Sequence, residues 1–379
     1  MRIAVLSNTA WYLFNFRLNL MLELQKAGHE VLAVAPFDSY AEKIVAAGVR
    51  FHAVPISGGG TNPFAELKSV AGLLSAFRAH KIELVLSYTP KGNLYGALAA
   101  IVGGRQFLPN VSGLGRAFIR RSFITRVVLL LYRATFRRAR HVFFQNKEDM
   151  AFFIAAGLVK PENAERLPGS GVDLTRFALS AVAEPAAAPR PAHAPVFLLV
   201  ARMLWDKGIG EYIAAARLVR QRWPDARFRL LGFLDVSNPS AVPRAQVEAW
   251  VAEGVVEYLG ATDDVRPFLR DADCVVLPSY REGVPRTLLE AAALARPIVT
   301  TDAPGCRDTV VDGETGFLCR PADAADLAAK LLLLIDLPLE QRRAMGLRGR
   351  AMIERSFDER IVLERYARVV AACAGAAPG

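Results

Sequence analysis

The chain is 379 residues long, with 53% hydrophobic, 22% charged and 9% aromatic side chains. At roughly 100–200 residues per domain this is more than one core comfortably holds, and the composition excludes disordered, collagen-like and disulfide-scaffold chains. The formal net charge of +10 is unevenly spread: residues 1–180 carry 22 Lys and Arg against 11 Asp and Glu, and the remainder carries 25 against 26.

In chain order, short apolar strand candidates alternate with helix-period stretches, as in a parallel sheet covered by helices. Residues 1–6 open as a strand, without the charged and long apolar regions of a secretion signal. Segments 3–7, 30–35, 84–87 and 142–145 are strand-like, and 16–27 is a helix closed by Gly28. This half, 1–180, reads as one Rossmann-like domain. Segment 181–195 is rich in Ala and Pro with little periodicity, hence an inter-domain linker or a long exposed loop. The pattern restarts over 196–355, with strands at 196–201, 228–231, 256–259, 274–278 and 297–301 and helices near 210–223, 285–294 and 324–335. The final segment, 356–379, carries a helix over 359–372 that can return to the first domain. The expected class is α/β, with two Rossmann-like domains facing across a cleft where the carboxyl ends of both sheets meet one ligand.

Arg116 to Arg140 holds eight arginines and no acid, interleaved with Phe118, Ile119, Phe123, Ile124, Val127, Val128, Leu130, Leu131 and Phe136. It reads as a basic amphipathic helix. A solvated face of this kind would repel itself, and no nucleic-acid module accompanies it. An anionic membrane surface is the favoured partner, at about 1 kcal/mol per basic residue near anionic lipid. The alternative leaves 127–131 in the core and gives the arginines to a diphosphate ligand. The densest apolar runs, 127–132 and 331–335, fall well short of the roughly 18 residues of a membrane span.

Two segments carry chemistry. The strand at 196–201 runs into Arg202-Met203-Leu204-Trp205-Asp206-Lys207-Gly208, placing a guanidinium and an ammonium just before a helix, where a diphosphate could be gripped. The strand at 274–278 runs into Ser279-Tyr280-Arg281-Glu282-Gly283-Val284-Pro285-Arg286-Thr287-Leu288-Leu289-Glu290. Amides around Gly283 and Thr287 could meet phosphate while the two carboxylates meet sugar hydroxyls. The competing reading makes Glu282 a helix cap, Glu290 half of a surface salt bridge, and Arg202 and Lys207 solvated charges.

The pattern E-x7-E after a strand ending in Pro-Ser, with R-x4-K-G earlier in the same domain, resembles family 4 of the retaining GT-B glycosyltransferases. The stretches from Ser7 to Arg17, Tyr88 to Gly96, Ser112 to Gly115 and Gly169 to Asp173 are similar to the branch that adds N-acetylhexosamines to polyprenyl-diphosphate-linked sugars. The resemblance implies that Arg202 and Lys207 hold the diphosphate of a UDP-sugar, Glu282 the donor-sugar hydroxyls and Glu290 the ribose. Glu282, Arg202 and Lys207 become the catalytic set, and Gly283, Thr287 and Leu288 complete the donor-binding set. Asn15, Lys91, Gly113 and Gly115 are acceptor-side candidates. It further implies a polyprenyl-diphosphate-linked saccharide acceptor, retention without a metal or other cofactor, and a cytoplasmic enzyme peripheral on the inner membrane face. The sequence departs from that family in two places: the first loop lacks paired glycines, and Tyr88 stands where many members carry a histidine.

Other signals are weaker. Asp271-Ala272-Asp273 spells the D-x-D of metal-dependent transferases but sits at a strand entry. The cysteines Cys274, Cys306, Cys319 and Cys373 show no metal-ligand spacing and read as buried thiols of a reducing compartment. The five histidines do not cluster, and no G-x-S-x-G or P-loop is present. Rival readings are a UDP-sugar 2-epimerase of similar architecture and a non-enzymatic polyanion-binding protein.

Overall fold

A computed structural model describes residues 1–56, 63–113, 123–179, 194–236 and 238–375. The chain divides into two compact units, Met1–Ser170 with Arg360–Gly379, and Gly171–Glu359.

The first unit is built on strands β1 (Arg2–Leu6), β2 (Glu30–Ala35), β3 (Arg50–Ala53), β4 (Leu84–Tyr88), β5 (Gln106–Val111), β6 (Val142–Phe144) and β7 (Ala164–Arg166). They form one parallel sheet in the order β3-β2-β1-β4-β5-β6-β7. Its helices are α1 (Ala10–Lys26), α2 (Ser39–Ala46), α3 (Pro63–Ala79), α4 (Pro90–Val102), α5 (Phe123–Phe136) and α6 (Lys147–Ala155). Successive strand residues point to opposite faces, so each strand reads as a continuous apolar run and feeds two cores. Ala4, Leu6, Leu32, Val34 and Val85 pack with residues of α3 to α6, while Ile3, Val5, Val31, Ala33 and Leu86 pack beneath α1 and α2.

The second unit contains β8 (Val196–Val200), β9 (Arg227–Leu231), β10 (Glu257–Tyr258), β11 (Cys274–Leu277), β12 (Ile298–Thr301) and β13 (Gly316–Cys319). Its helices are α7 (Ile209–Arg222), α8 (Arg244–Ala252), α9 (Arg266–Asp271), α10 (Arg286–Ala293), α11 (Ala324–Asp336) and α12 (Leu339–Ser356). The parallel strand order is β10-β9-β8-β11-β12-β13. One face is covered by α7, α8 and α11, the other by α9, α10 and α12.

The last helix, α13 (Glu359–Ala374), packs Val362, Tyr366, Val370 and Cys373 into the first unit's core beside α1. Gln106 donates to the Cys373 carbonyl at 3.2 Å and Asn110 to the Tyr366 hydroxyl at 2.8 Å. The expected return of the C-terminal helix is therefore observed, with its change of unit at Glu359/Arg360.

The first change of unit falls at Ser170/Gly171, ten residues before the expected boundary at 180. The reason is packing: Val172 and Phe177 are buried in the second unit's core with Leu288 and Ile353. The linker expected at 181–195 falls mainly outside the described residues, and of it only Ala194 and Pro195 are described, within the second unit. The outgoing and returning segments run side by side within that unit, with Val172 N donating to Phe357 O at 2.9 Å and Glu359 N to Val172 O at 3.0 Å. Gly171 sits at φ +71°, and a Cβ there would lie 2.5 Å from the Glu359 Cα.

Sequence periodicity misses β3, β5, β7 and β13. In β5 the obstacle is Pro109, which argues against an inner strand. The β5–β6 ladder begins only at Asn110, so the missing N–H falls just outside it.

Gly171→Ala is expected to destabilise the protein by roughly 2–4 kcal/mol, combining backbone strain with a backbone clash. Gly28→Ala, at φ +84° with nothing within 4 Å of the added methyl, should cost only about 1 kcal/mol. Urea unfolding midpoints of the two variants check the difference.

Candidate active site

In each sheet the connections leave in opposite directions from one central pair of strands: β1 and β4 in the first unit, β8 and β11 in the second. At such a switch point no crossover roofs the carboxyl ends of the strands, and a ligand can approach. Both segments singled out from the sequence emerge at the switch point of the second unit. Arg202 follows β8 and Ser279 to Glu282 follow β11.

After β8 the chain makes a short 3₁₀ turn, Trp205–Lys207, and enters α7 through Gly208 at φ +75°. A Cβ on Gly208 would sit 2.1 Å from the Pro278 carbonyl oxygen. The glycine thus lets the cationic loop lie directly on the exit of β11. Ser279 Oγ donates to Asp206 O at 3.0 Å, and Tyr280 N donates to the same oxygen at 3.1 Å. Tyr280 continues the clamp, its hydroxyl donating to Glu211 Oε1 at 2.7 Å, and burial pushes its phenol well above the usual range.

This fit brings Lys207 and Glu282, 75 residues apart, into a hydrogen-bonded ion pair. Their side chains are only 20% and 14% exposed. For Glu282 the capping reading and for Lys207 the solvated-charge reading do not survive, because the two partners share one partly buried spot. Arg202 is exposed, and among the described residues its guanidinium has no acidic partner.

Helix α10 starts at Arg286 after Pro285, without a side-chain cap. The first amides of a helix have no intrahelical acceptor. Leu288 and Leu289 donate to Pro285 O at 3.0 and 3.4 Å, and the amide of Thr287 remains a donor of this terminus. Leu288 itself is fully buried among the core side chains, so its contribution is packing rather than ligand contact. Glu290 lies one turn further, 2.8 Å from Arg286 and 12% exposed. Burial raises its carboxyl above the ordinary value, and the adjacent Arg286 opposes that shift.

The sequence reading missed the wall behind Glu282. Thr300 Oγ1 donates to Leu277 O at 2.7 Å, Thr301 Oγ1 donates to Ser279 O, and Glu282 N donates to Pro304 O at 3.0 Å. Gly305, at φ +80°, leaves room for the Glu282 and Gly283 carbonyls, which a Cβ would approach to 2.4 and 2.1 Å. The available signal was the Pro304-Gly305 dipeptide, a turn marker, but only the fold shows what that turn touches.

The D-x-D pair is at the opposite end of the sheet. Asp273 accepts from Val196 N at 2.8 Å, and Asp271 pairs with Arg229. These carboxylates hold a strand start and a neighbouring strand.

In the first unit, Asn15 donates within α1 to Trp11 O at 2.9 Å. Lys91, in the first turn of α4, pairs with Glu66 at 2.6 Å, and Gly113 follows β5 at φ +128°. Gly115 lies outside the described residues, as do Arg116, Arg120 and Arg121. Tyr88 is fully buried and burial keeps its phenol neutral, so it supplies no base in place of a histidine.

Residues 194–336 match the family described as glycosyl transferases group 1, and residues 16–170 match the glycosyl transferase 4-like domain. The chain is 29% identical over 379 residues to the N,N'-diacetylbacillosaminyl-diphospho-undecaprenol alpha-1,3-N-acetylgalactosaminyltransferase of Campylobacter jejuni, covering 97% of this chain and 98% of that one. Its structure is similar to sucrose-phosphate synthase from Thermosynechococcus elongatus, with TM-score 0.80, 20% identity and 98% of both chains covered. It is also similar to Anabaena HepE in complex with UDP-glucose, with TM-score 0.79, 19% identity and coverage of 98% and 100%.

Gly305→Ala should displace Glu282 and Gly283, and if the site takes a nucleoside diphosphate its binding should weaken about tenfold or more, since small misplacements at a site are costly. Isothermal calorimetry on the folded variant measures it.

Proposed function

Since the chain belongs to the GT-B glycosyltransferases, with a 4-like first domain and a group 1 second domain, we propose that it transfers an N-acetylhexosamine from a UDP-sugar to a polyprenyl-diphosphate-linked saccharide with retention. The observation that carries this reading is the meeting of Lys207 and Glu282 at the second unit's switch point, beside Arg202 and the N-terminus of α10. The kinship with the Campylobacter jejuni transferase supports the acceptor class.

Arg202, Lys207 and the amides around Gly283 and Thr287 receive the diphosphate, offering fixed positive charge where negative charge grows as the glycosidic bond breaks. Glu282 accepts hydrogen bonds from the donor sugar and Glu290 from the ribose. Among the described residues of this site, Glu282 is paired with Lys207 and Glu290 with Arg286, so no carboxylate is assigned as a nucleophile. The incoming hydroxyl therefore attacks from the leaving-group side and passes its proton to the departing diphosphate oxygen. The new bond forms on the face the old one left, and configuration is retained. No step of this scheme calls for a metal.

Docking on an anionic membrane forms part of the proposal. Arg126, Val127, Leu130 and Arg133 of α5, with Arg137 just beyond, are exposed at near-helical spacing, while Tyr132, Thr135 and Phe136 are buried on the other side. That arrangement divides the segment between core and surface, as an interfacial helix requires. No described helix is long and apolar enough to cross a membrane.

Incubating the protein with a panel of UDP-sugars and a synthetic lipid-diphosphate saccharide, then weighing the product, tests the activity. Conversion of the UDP-sugar alone, with no acceptor present, would favour the epimerase. Glu282→Ala should lose about 100-fold or more in turnover while staying folded, whereas Asp271→Ala and added chelator should leave turnover intact. Replacing Arg126, Arg133, Arg137 and Arg138 with Gln should release the protein from anionic vesicles in co-sedimentation yet spare UDP affinity, and salt should release the unmodified protein as well.

A further inference from the structure

Apart from its switch point, the first unit holds a cavity of about 230 Å³ lined by Arg140, His141, Glu165, Arg368 and Cys373 together with two further residues of α13. Arg140 and His141 lead into β6, Glu165 is the middle residue of β7, and Arg368 and Cys373 stand on α13. Along α13, Arg365, Arg368, Val369 and Ala372 recur at helical spacing, so one stripe of the helix faces this edge of the sheet. The cavity lies beside the entry of β6, whereas ligands of a parallel sheet approach the carboxyl ends of its strands.

Glu165 is the one acid of the lining, and it is already engaged. Arg368 Nη2 donates to both of its oxygens at 2.7 Å, and Arg365 Nη1 lies 3.6 Å away. His141 Nε2 stands 3.2 Å from the same carboxylate without a hydrogen bond between them. Burial lowers the His141 imidazole below its ordinary value, and Glu165 opposes that shift. A guanidinium carries five N–H donors in a planar fork. Arg368 spends one nitrogen on Glu165, and its other donors have no partner among the described residues. Arg140 is exposed and has no acidic partner among the described residues. Burial pushes the Cys373 thiol up while the Arg140 guanidinium pulls it down, so that charge lies close to the cavity wall. Three guanidiniums, of Arg140, Arg365 and Arg368, thus surround one carboxylate, an excess of two positive charges with His141 neutral.

We propose that this cavity binds the phosphate group of a small phosphomonoester between the guanidiniums of Arg140 and Arg368. Phosphate suits two guanidinium forks, because its three terminal oxygens can take paired N–H donors from both. The volume sets the size of the ligand: 230 Å³ is below the roughly 300–1,000 Å³ of clefts that enclose drug-sized molecules. A nucleoside diphosphate or a lipid-linked saccharide is larger than that, so the site is independent of the donor and acceptor readings above. Glu165 holds Arg368 in place before the ligand arrives, which lowers the ordering cost of that long side chain. The bound anion links the entry of β6 to the last turns of α13, where Gln106 already donates to the Cys373 carbonyl at 3.2 Å.

Calorimetric titration of glycerol phosphate and of inorganic phosphate into an Arg202→Ala/Lys207→Ala protein, which lacks the second unit's cations, tests the site at constant ionic strength. In that background Arg140→Gln and Arg368→Gln should each weaken binding of both probes about tenfold or more, as for loss of a hydrogen bond to a charged group. Arg50→Gln, on β3 at the other edge of the sheet, should leave it unchanged. Glycerol phosphate should also raise the thermal midpoint with concentration, and that rise should vanish in Arg140→Gln. Both replaced side chains are exposed, and circular dichroism checks the fold; if Arg368→Gln does not fold, Arg140→Gln alone decides. Undetectable binding of both probes, or equal affinity in the Arg140→Gln protein, overturns the site. A nucleoside monophosphate that binds as tightly as glycerol phosphate overturns the size assignment. In the otherwise unmodified protein, a fall in UDP affinity on Arg140→Gln would make the cavity part of the donor site and overturn its independence.

Discussion

A parallel strand must send its chain back over one face of the sheet before the next strand can begin, and right-handed crossovers fix which face it takes. In both units the direction of winding reverses once, so a single strand pair is left with uncovered carboxyl ends. The rest of the molecule's chemistry depends on that constraint. It explains why residues 75 apart in sequence, Lys207 and Glu282, share one partly buried position, and why two loops of unlike composition, after β8 and after β11, behave as one site.

The constraint alone does not place a carboxylate to within a hydrogen bond. The second unit achieves this by taking up the backbone groups that would otherwise let the β11 exit wander. Thr300 and Thr301 hold the carbonyls of Leu277 and Ser279, Pro304 O holds the Glu282 amide, and Gly208 and Gly305 remove the two side chains that would keep these segments apart. The first unit leaves the corresponding groups open: Ser7, Ser87 and Arg17 keep unsatisfied atoms, and Thr89 keeps a strained backbone. The exit of β11 is thereby held by hydrogen bonds, while at the first switch point the buried Arg17 has no acidic partner among the described residues.

Charge is partitioned in the same way. The acid-rich second unit spends many of its arginines on carboxylates, as with Arg227 and Arg229 on Glu257, or Arg266 on Asp264. On α5 the arginines face outward with Val127 and Leu130 between them. Net charge as a number carries none of this; the distinction lies in which arginines have acids within reach.

The amino-acid sequence by itself determined the alternation of strand and helix, the presence of two Rossmann-like halves, the E-x7-E and R-x4-K-G segments and the unusual tyrosine at position 88. Apolar runs and glycine punctuation are local quantities, and strands such as β1, β8 and β11 are long and apolar enough to declare themselves. Short edge strands such as β3 and β7 are not, and β5 carries a proline that is harmless only because its neighbour starts one residue later. The unit boundary was likewise hidden: the Ala/Pro segment is the conspicuous break, yet Val172 and Phe177 had already joined the second core before it. Tertiary structure alone decided that Asp271 and Asp273 are spent at the opposite end of the sheet, that the Pro304-Gly305 turn supports Glu282, and that Arg17 is buried without an acid among the described residues. Each of these depends on which segments touch across tens or hundreds of residues, a property of packing that no local pattern encodes.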